Sequence, residues 1–323
     1  MPDHLPPTES ATNQRSECLS LLRSMQNADG GWGFHAGGES RVEPTSWAAL
    51  AISFRNEQEH QDAFRKLSGY LHSKQLADGS WAAAPEMSSG GWVTSLACSA
   101  LAGDAESDKH LRVGLQWICE DFPRDSSPLQ RFMRKLRPKS HISSQNDSYR
   151  GWGWTPKTSS WVEPTSFALM VLRAAKVEQL PKNAGERREL AVALLYDRMC
   201  PGGGWNCGNP RVYGVDGDAL VLPTCWALLA LRDAPEKPGR VLSLAWLQKQ
   251  FAKIESAGSL AVARMTLENY GMQAPPAKRN LQDWSAEALA EDGTHVLAWA
   301  YMALNPARSW FSVSQETAVG AAR

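Results

Sequence analysis

The sequence predicts an all-α protein, an (α/α)6 toroid of about six helical hairpins with one lengthened mouth loop and one insertion. Three observations carry that expectation. A Gly/Trp turn leading into an apolar helix occurs twice with its parts in the same order, as GWGFHAGGESRVEPTSWAALAI over 31–52 and GWGWTPKTSSWVEPTSFALMVL over 151–172. Such self-similarity marks a repeat architecture. The second helix of each unit is apolar almost all round (SWAALAI, SLACSAL, SFALMVL, CWALLAL), which assigns it to an inner layer, whereas the first helices keep a wet side. No segment shows the alternation of a convincing strand. An open solenoid has the same local pattern, so closure is itself an expectation.

Residues 1–13 are polar and Pro-rich, without a basic or an apolar run, and are expected to be a disordered leader rather than a signal peptide. A single toroid domain then spans 14–305. Its first helix places Leu19, Leu22 and Met25 on one face and stops at Gln26 to Trp32, where glycines supply positive φ. Pro44, in the first turn, opens an inner helix carrying Trp47, Leu50, Ala51 and Phe54. The second unit runs 61–74 and 93–101 through turns at Trp81 and Gly90-Gly91-Trp92. The third runs 108–120 and 164–175 and is interrupted by a charged, Pro- and Ser-rich insertion at 121–150, helical only over 129–136. The fourth joins 186–200 to 223–231 through Gly202 to Trp205, with its loop lengthened by 206–222. Pairs at 239–251 with 259–270, and at 281–290 with 294–304, lack the Trp turn. The tail 306–323 has no clear partner.

A chain of 323 residues with 43% hydrophobic content can bury a large core. Lys+Arg and Asp+Glu are both 34, which leaves no basic footprint for nucleic acid. No apolar run reaches the length of a membrane span. The chain is expected to be cytoplasmic; peripheral membrane contact and oligomeric state stay open. The six cysteines are scattered and mostly fall in apolar helical patterns, as buried free thiols do. Cys200 and Cys207 flank a Gly-rich loop, so a disulfide or metal pair is open there, but no second pair completes a zinc set. No metal or cofactor is called for.

The segments Gln26…Gly31-Trp32 and Gln75…Gly79-Ser80-Trp81 resemble the Gln-Trp repeats of squalene/hopene-type terpene cyclases, which recur in degraded form in protein prenyltransferase β-subunits. The resemblance covers roughly 14–305 and implies one six-hairpin toroid, comparable to a single domain of the two-domain cyclases. Members that cyclise polyprenes carry Asp-x-Asp-Asp-Thr at the head of an inner helix, and its middle Asp protonates an alkene or epoxide. The matching segment Trp161-Val-Glu-Pro-Thr165 puts Glu163 at that position, and Glu43 holds it in the first copy, with proline in place of the next Asp. Leu220 to Thr224 has no acid at all. Of the prenyltransferase zinc set only a His at the last inner helix, His295, has a counterpart, because no Asp-x-Cys precedes it. The Cys-His dipeptide of the lanthipeptide cyclases is absent.

The candidate catalytic residues are therefore Glu163, Glu43 and the pair Asp216 and Asp218. A carboxylic acid that protonates an apolar molecule must stay neutral near pH 7, which burial among tryptophans achieves; the recurrence of one motif in two copies favours the plainer role of a helix N-terminal charge for either Glu. Asp216 and Asp218, one residue apart in the lengthened loop, can share a proton, hold a cation or simply form a turn. Trp154, Trp161, Trp92, Trp205, Phe167 and Trp226 are candidate ligand-binding aromatics whose π-faces suit a carbocation, although a Trp can instead stack on its repeat's Gln and staple the helices. Arg150 and Arg211 are candidates for a polar head group. The leading expectation is a toroid holding a hydrophobic, isoprenoid-like molecule in a central cavity and possessing an acid able to cyclise it. The alternatives are a scaffold without chemistry, in which large side chains fill the centre, and a carbohydrate-active α/α barrel.

Overall fold

A computed structural model describes residues 9–52, 58–121, 123, 132, 145, 146 and 148–305. Its helices, in chain order, are α1 (Glu9–Ser24), α2 (Val42–Ile52), α3 (Gln58–Lys74), α4 (Val93–Leu101), α5 (Asp108–Glu120) and α6 (Val162–Ala174). After these come α7 (Ala184–Asp197), α8 (Val221–Leu231), α9 (Pro238–Phe251), α10 (Ala257–Asn269), α11 (Ala286–Glu291) and α12 (Thr294–Ala303). Odd-numbered helices are outer and even-numbered ones inner, as the apolar patterning predicts: every residue of α8 from Pro223 onward is buried, whereas α9 buries Arg240, Ser243, Leu247 and Phe251. Each inner helix packs on the next, and α12 packs back on α2, so the ring is closed.

Hydrogen bonds fasten the closure. Thr294 donates from its backbone N–H to Phe34 O at 2.8 Å and from Oγ1 to Gly33 O at 2.7 Å. Gln14 donates from Nε2 to the carbonyls of Leu281 and Trp284, both at 2.7 Å. Because Thr294 is fully buried, Thr294→Val leaves the Gly33 carbonyl unpaired and is expected to cost about 1–3 kcal/mol in chemical denaturation. An unchanged midpoint would show that this latch does not hold the ring.

The repeat turn is a fixed set of bonds. Trp32, Trp81 and Trp205 each donate from Nε1 to a carbonyl ten residues back, on Leu22, Leu71 and Leu195. Their backbone N–H groups donate to Thr45, Thr94 and Thr224 Oγ1 at the head of the following inner helix. Trp152 does the same with Thr165, but its indole reaches Ile118 O, 34 residues back, so the staple spans the insertion without losing its geometry. Gln26 and Gln75 bond the carbonyls of Gly30 and Gly79 and those of Ala63 and His110 on the next outer helix. Gly30 (φ 88°) and Gly79 (φ 89°) are required twice over, since a Cβ at Gly30 would lie 2.3 Å from Lys66 O.

The structure departs from the sequence reading in two local respects. Helix α1 begins at Glu9, inside the stretch expected to be a disordered leader. The lengthened loop contains a two-stranded hairpin, Arg211–Val212 with Val215–Asp216, turned at Tyr213 (φ 51°) and Gly214 (φ 80°). Both turn residues have positive φ, which suits the strand twist. As expected of the cysteines at large, Cys200 and Cys207 are free thiols. The expected 129–136 helix, most of the insertion and the tail lie outside the described residues. The insertion's far end is tied down by Gln145 Nε2, which donates to Gly208 O at 2.8 Å.

Candidate functional site

Every inner helix is entered from an outer one, so the inner N-termini share one mouth. The fixed spacing of the staple sets which residues face the axis there. Trp47, Phe167 and Trp226 each stand two residues after the threonine that holds the repeat tryptophan. Their rings meet: Trp47 lies 5.5 Å from Trp226, 6.0 Å from Phe167 and 5.3 Å from Trp299 of α12, and Phe167 lies 5.2 Å from Trp226. In a ring of six, α2 and α8 face each other across the axis, so the stacking of Trp47 on Trp226 fills the axis at that level. All four rings are at most 8% exposed. The central cavity expected from sequence is closed here because the inner helices bring large aromatics, not small residues, to the same register.

One turn nearer the mouth the layer is different. Residues four apart share a helix face, so Glu43 lies above Trp47, Glu163 above Phe167 and His295 above Trp299, with Trp92 at the matching position of α4. All four are half-buried, unlike the floor beneath them. Trp92 packs edge-on against Trp154 at 5.1 Å and against Phe167 at 5.6 Å, forming one wall. The His295 ring is 4.9 Å from Trp299. The result is a shallow cup with two carboxyls and an imidazole in its wall and an aromatic floor.

Burial sets the protonation of these groups. It raises Glu43 from an ordinary 4.5 to about 7, with no cation beside the carboxyl to reverse the effect. Burial also raises Glu163, opposed by that residue's own backbone N–H, and leaves Oε2 buried without a hydrogen-bond partner. Glu163 stands in the first turn of α6, where its carboxyl also suits the helix N-terminus. His295 is pushed down by burial and by His35, which keeps it neutral, and its Nδ1 is also buried and unpartnered. The first-copy glutamate, ranked second in the sequence, is thus the more strongly perturbed acid.

Other expected site residues sit elsewhere. Trp205 is fully buried as a staple and lines nothing. Trp161 is half-buried at the N-cap of α6, bridged to Trp152. Asp216 is ion-paired with Arg211 at 2.5 Å on the exposed hairpin, and Asp218 is exposed beside it. That pairing also engages Arg211, and Arg150 is half-buried near Arg187. Sequence reading missed Trp47 and Trp299 as floor residues and left His295 unassigned. Their signal was the Glu/Trp, Glu/Phe and His/Trp spacing of four.

No protein-family model matches the chain. The drimenyl diphosphate synthase of Streptomyces showdoensis is 24% identical over 269 residues, which is 72% of this chain and 49% of that protein. The chain therefore spans about half the length of this relative. A variant of the type II terpene cyclase MstE from Scytonema, solved with its substrate geranylgeranyl dihydroxybenzoate, superimposes with a TM-score of 0.55 at 13% identity, over 91% of this chain and 78% of that one. The fold is that of the type II terpene cyclases. The same terpene-cyclase-like toroid also superimposes on endoglucanase Cel10 of Klebsiella pneumoniae, a family 8 glycosyl hydrolase, with a TM-score of 0.56 at 13% identity, over 90% of this chain and 99% of that one. Likeness at this level carries architecture alone, and the chemistry has to be read from the cup.

Proposed function

We propose that this terpene-cyclase-like toroid binds a hydrophobic, isoprenoid-like molecule in its mouth cup and protonates a carbon–carbon double bond of it, as a class II cyclase does. The observation that carries the reading is Glu43, a half-buried carboxyl lifted to about 7, one turn above a floor of Trp47, Trp226 and Trp299. Near neutral pH a large fraction of Glu43 holds its proton, and indole faces beneath it favour a developing carbocation. MstE, which acts on a geranylgeranyl compound, and the drimenyl diphosphate synthase lend the substrate class. Because the floor closes the axis, the ligand lies across the cup instead of threading the ring.

The test is incubation with farnesol and geranylgeraniol in D2O, followed by mass spectrometry of the extract. Expected are cyclised products carrying one solvent deuterium, lost in Glu43→Gln and only reduced in Glu163→Gln. Unchanged polyprenol with the intact protein, or full product from Glu43→Gln, overturns the catalytic reading. A second reading, a binding scaffold without chemistry, is favoured by the filled axis. It predicts polyprenol binding with no turnover. The proline after each glutamate, where cyclases place a second Asp, supports that alternative too.

A further inference from the structure

The outer helices α3 and α5 are joined by two imidazoles that lie outside the cup. The rings of His72 and His110 stack face to face, with centroids 3.9 Å apart and planes 9° from parallel. Hydrogen bonding fixes which nitrogen of each ring carries the proton. The Ser107 hydroxyl donates its one hydrogen to the Asp104 carboxylate, so it can only accept from His72 Nε2, 2.7 Å away. Gln75 Nε2 donates to the carbonyls of Gly79 and His110, at 2.9 and 3.0 Å, which leaves its Oε1 to accept from His110 Nδ1. The nitrogens left to titrate are His72 Nδ1 and His110 Nε2. Both rings are half-buried, and burial holds both below the usual histidine value of 6.5.

The charges around the pair set the order of proton uptake. Asp104 and Glu106, at the turn Ala105–Ser107, favour the charged form of His72, whereas Lys109 of α5 disfavours that of His110. On α3, Lys74 lies over the Tyr70 ring at 5.4 Å. On α5, Asp108 is held by Arg112 at 2.6 Å and by Gln179 of the turn Val177–Gln179 at 2.8 Å. Helices α2 and α4, packed on α3 and α5, bring one charged side chain between them, Glu43. The first proton therefore goes to His72. A second, on His110, sets two like charges at stacking distance beside a lysine.

This contact bears on the cup. Gln75, which His110 engages, closes the turn that carries Trp81. Trp81 O accepts from the Gly91 N–H at 3.1 Å, and the next residue, Trp92, is the cup wall. We propose that the stacked His72–His110 pair is an acid-sensitive joint that holds the second repeat turn closed near neutral pH and releases it, with the Trp92 wall, when both rings are protonated. Both rings take up protons less readily in the folded chain than in the unfolded one. Their contribution is thus fully present above about pH 6.5 and is lost as pH falls below it. Glu43 works in the opposite direction, since its proton favours the folded state.

Hydrogen–deuterium exchange of the full chain at pH 7.5, 6.5 and 5.0, with times scaled for intrinsic exchange, reads this turn directly. Peptides from 75–95 are expected to exchange on the order of ten-fold faster at pH 5.0, a factor that two like charges about 4 Å apart supply even near a surface. Peptides from 199–222, the equivalent turn with Trp205 and no histidine, are the internal control and stay constant. His72→Phe keeps a stacked ring and the Gln75–His110 bonds but leaves one titrating group, so it removes the acid response. His72→Gln, which keeps a donor for Ser107, does the same and serves if His72→Phe fails to fold. Acceleration that a folded variant retains overturns the joint. So does exchange over 75–95 that tracks 199–222 at every pH in the intact protein.

Discussion

Trp205→Ala is expected to lower unfolding stability by about 3–5 kcal/mol, the range for deleting a fully buried indole. Trp205 is 0% exposed and ties three elements: its indole N–H reaches Leu195 O at the end of α7, its backbone N–H reaches Thr224 Oγ1 at the head of α8, and its ring belongs to the core. The turn before it has positive φ at Gly203 and Gly204, a conformation that glycine adopts without strain. Against a typical total of about 5–15 kcal/mol, this single loss removes a large part of the stability. Trp205→Phe, which retains most of the ring volume and forfeits the indole bond, is expected to cost about 1–2 kcal/mol. Guanidinium denaturation followed by circular dichroism measures both. Equal midpoints for Trp205→Ala and the intact protein would mean that the repeat holds without its staple.

The same staple explains what could be read from the sequence. Gly-Trp turns, the Pro-Thr helix openings and the all-round apolar second helices are local devices repeated at fixed spacing, so hairpins and layers are legible in the order of residues alone. The spacing from repeat Trp to Thr is 13 residues in three copies and 19 in the fourth, and the difference is the lengthened loop. The site was less legible because identical residue types do opposite jobs. Trp205 and Trp226 belong to one repeat, yet one is a staple and the other is a floor, and only their position relative to Thr224 distinguishes them. Asp216 and Asp218 could be a shared-proton pair, a cation site or a turn, and the hairpin's register sets Asp216 beside Arg211. Whether the centre is hollow depends on side chains from α2 and α8 meeting across the ring, a contact between residues 47 and 226 that no local pattern encodes.

Glu43→Gln is expected to stabilise the protein at pH 8 while leaving its stability near pH 4.5 almost unchanged. Burial moves the Glu43 carboxyl from 4.5 to about 7 in the folded state. Between those values the folded chain holds a proton that the unfolded chain has released, so stability falls as pH rises through this window and levels off above it. The window spans about 2.5 pH units at about 1.4 kcal/mol each, a ceiling of about 3.5 kcal/mol that the residue's partial exposure cuts to about 1–2 kcal/mol. Glutamine keeps the shape and has nothing to titrate, so its advantage opens across the same window. Thermal melts of both proteins from pH 4 to pH 8 test this without any substrate. Parallel curves would show that Glu43 titrates as an ordinary surface acid, and a proton donor poised for neutral pH would then be absent from this position. Divergent curves would mean that the chain carries a destabilising buried acid, a cost that is understandable when the acid's proton has a use.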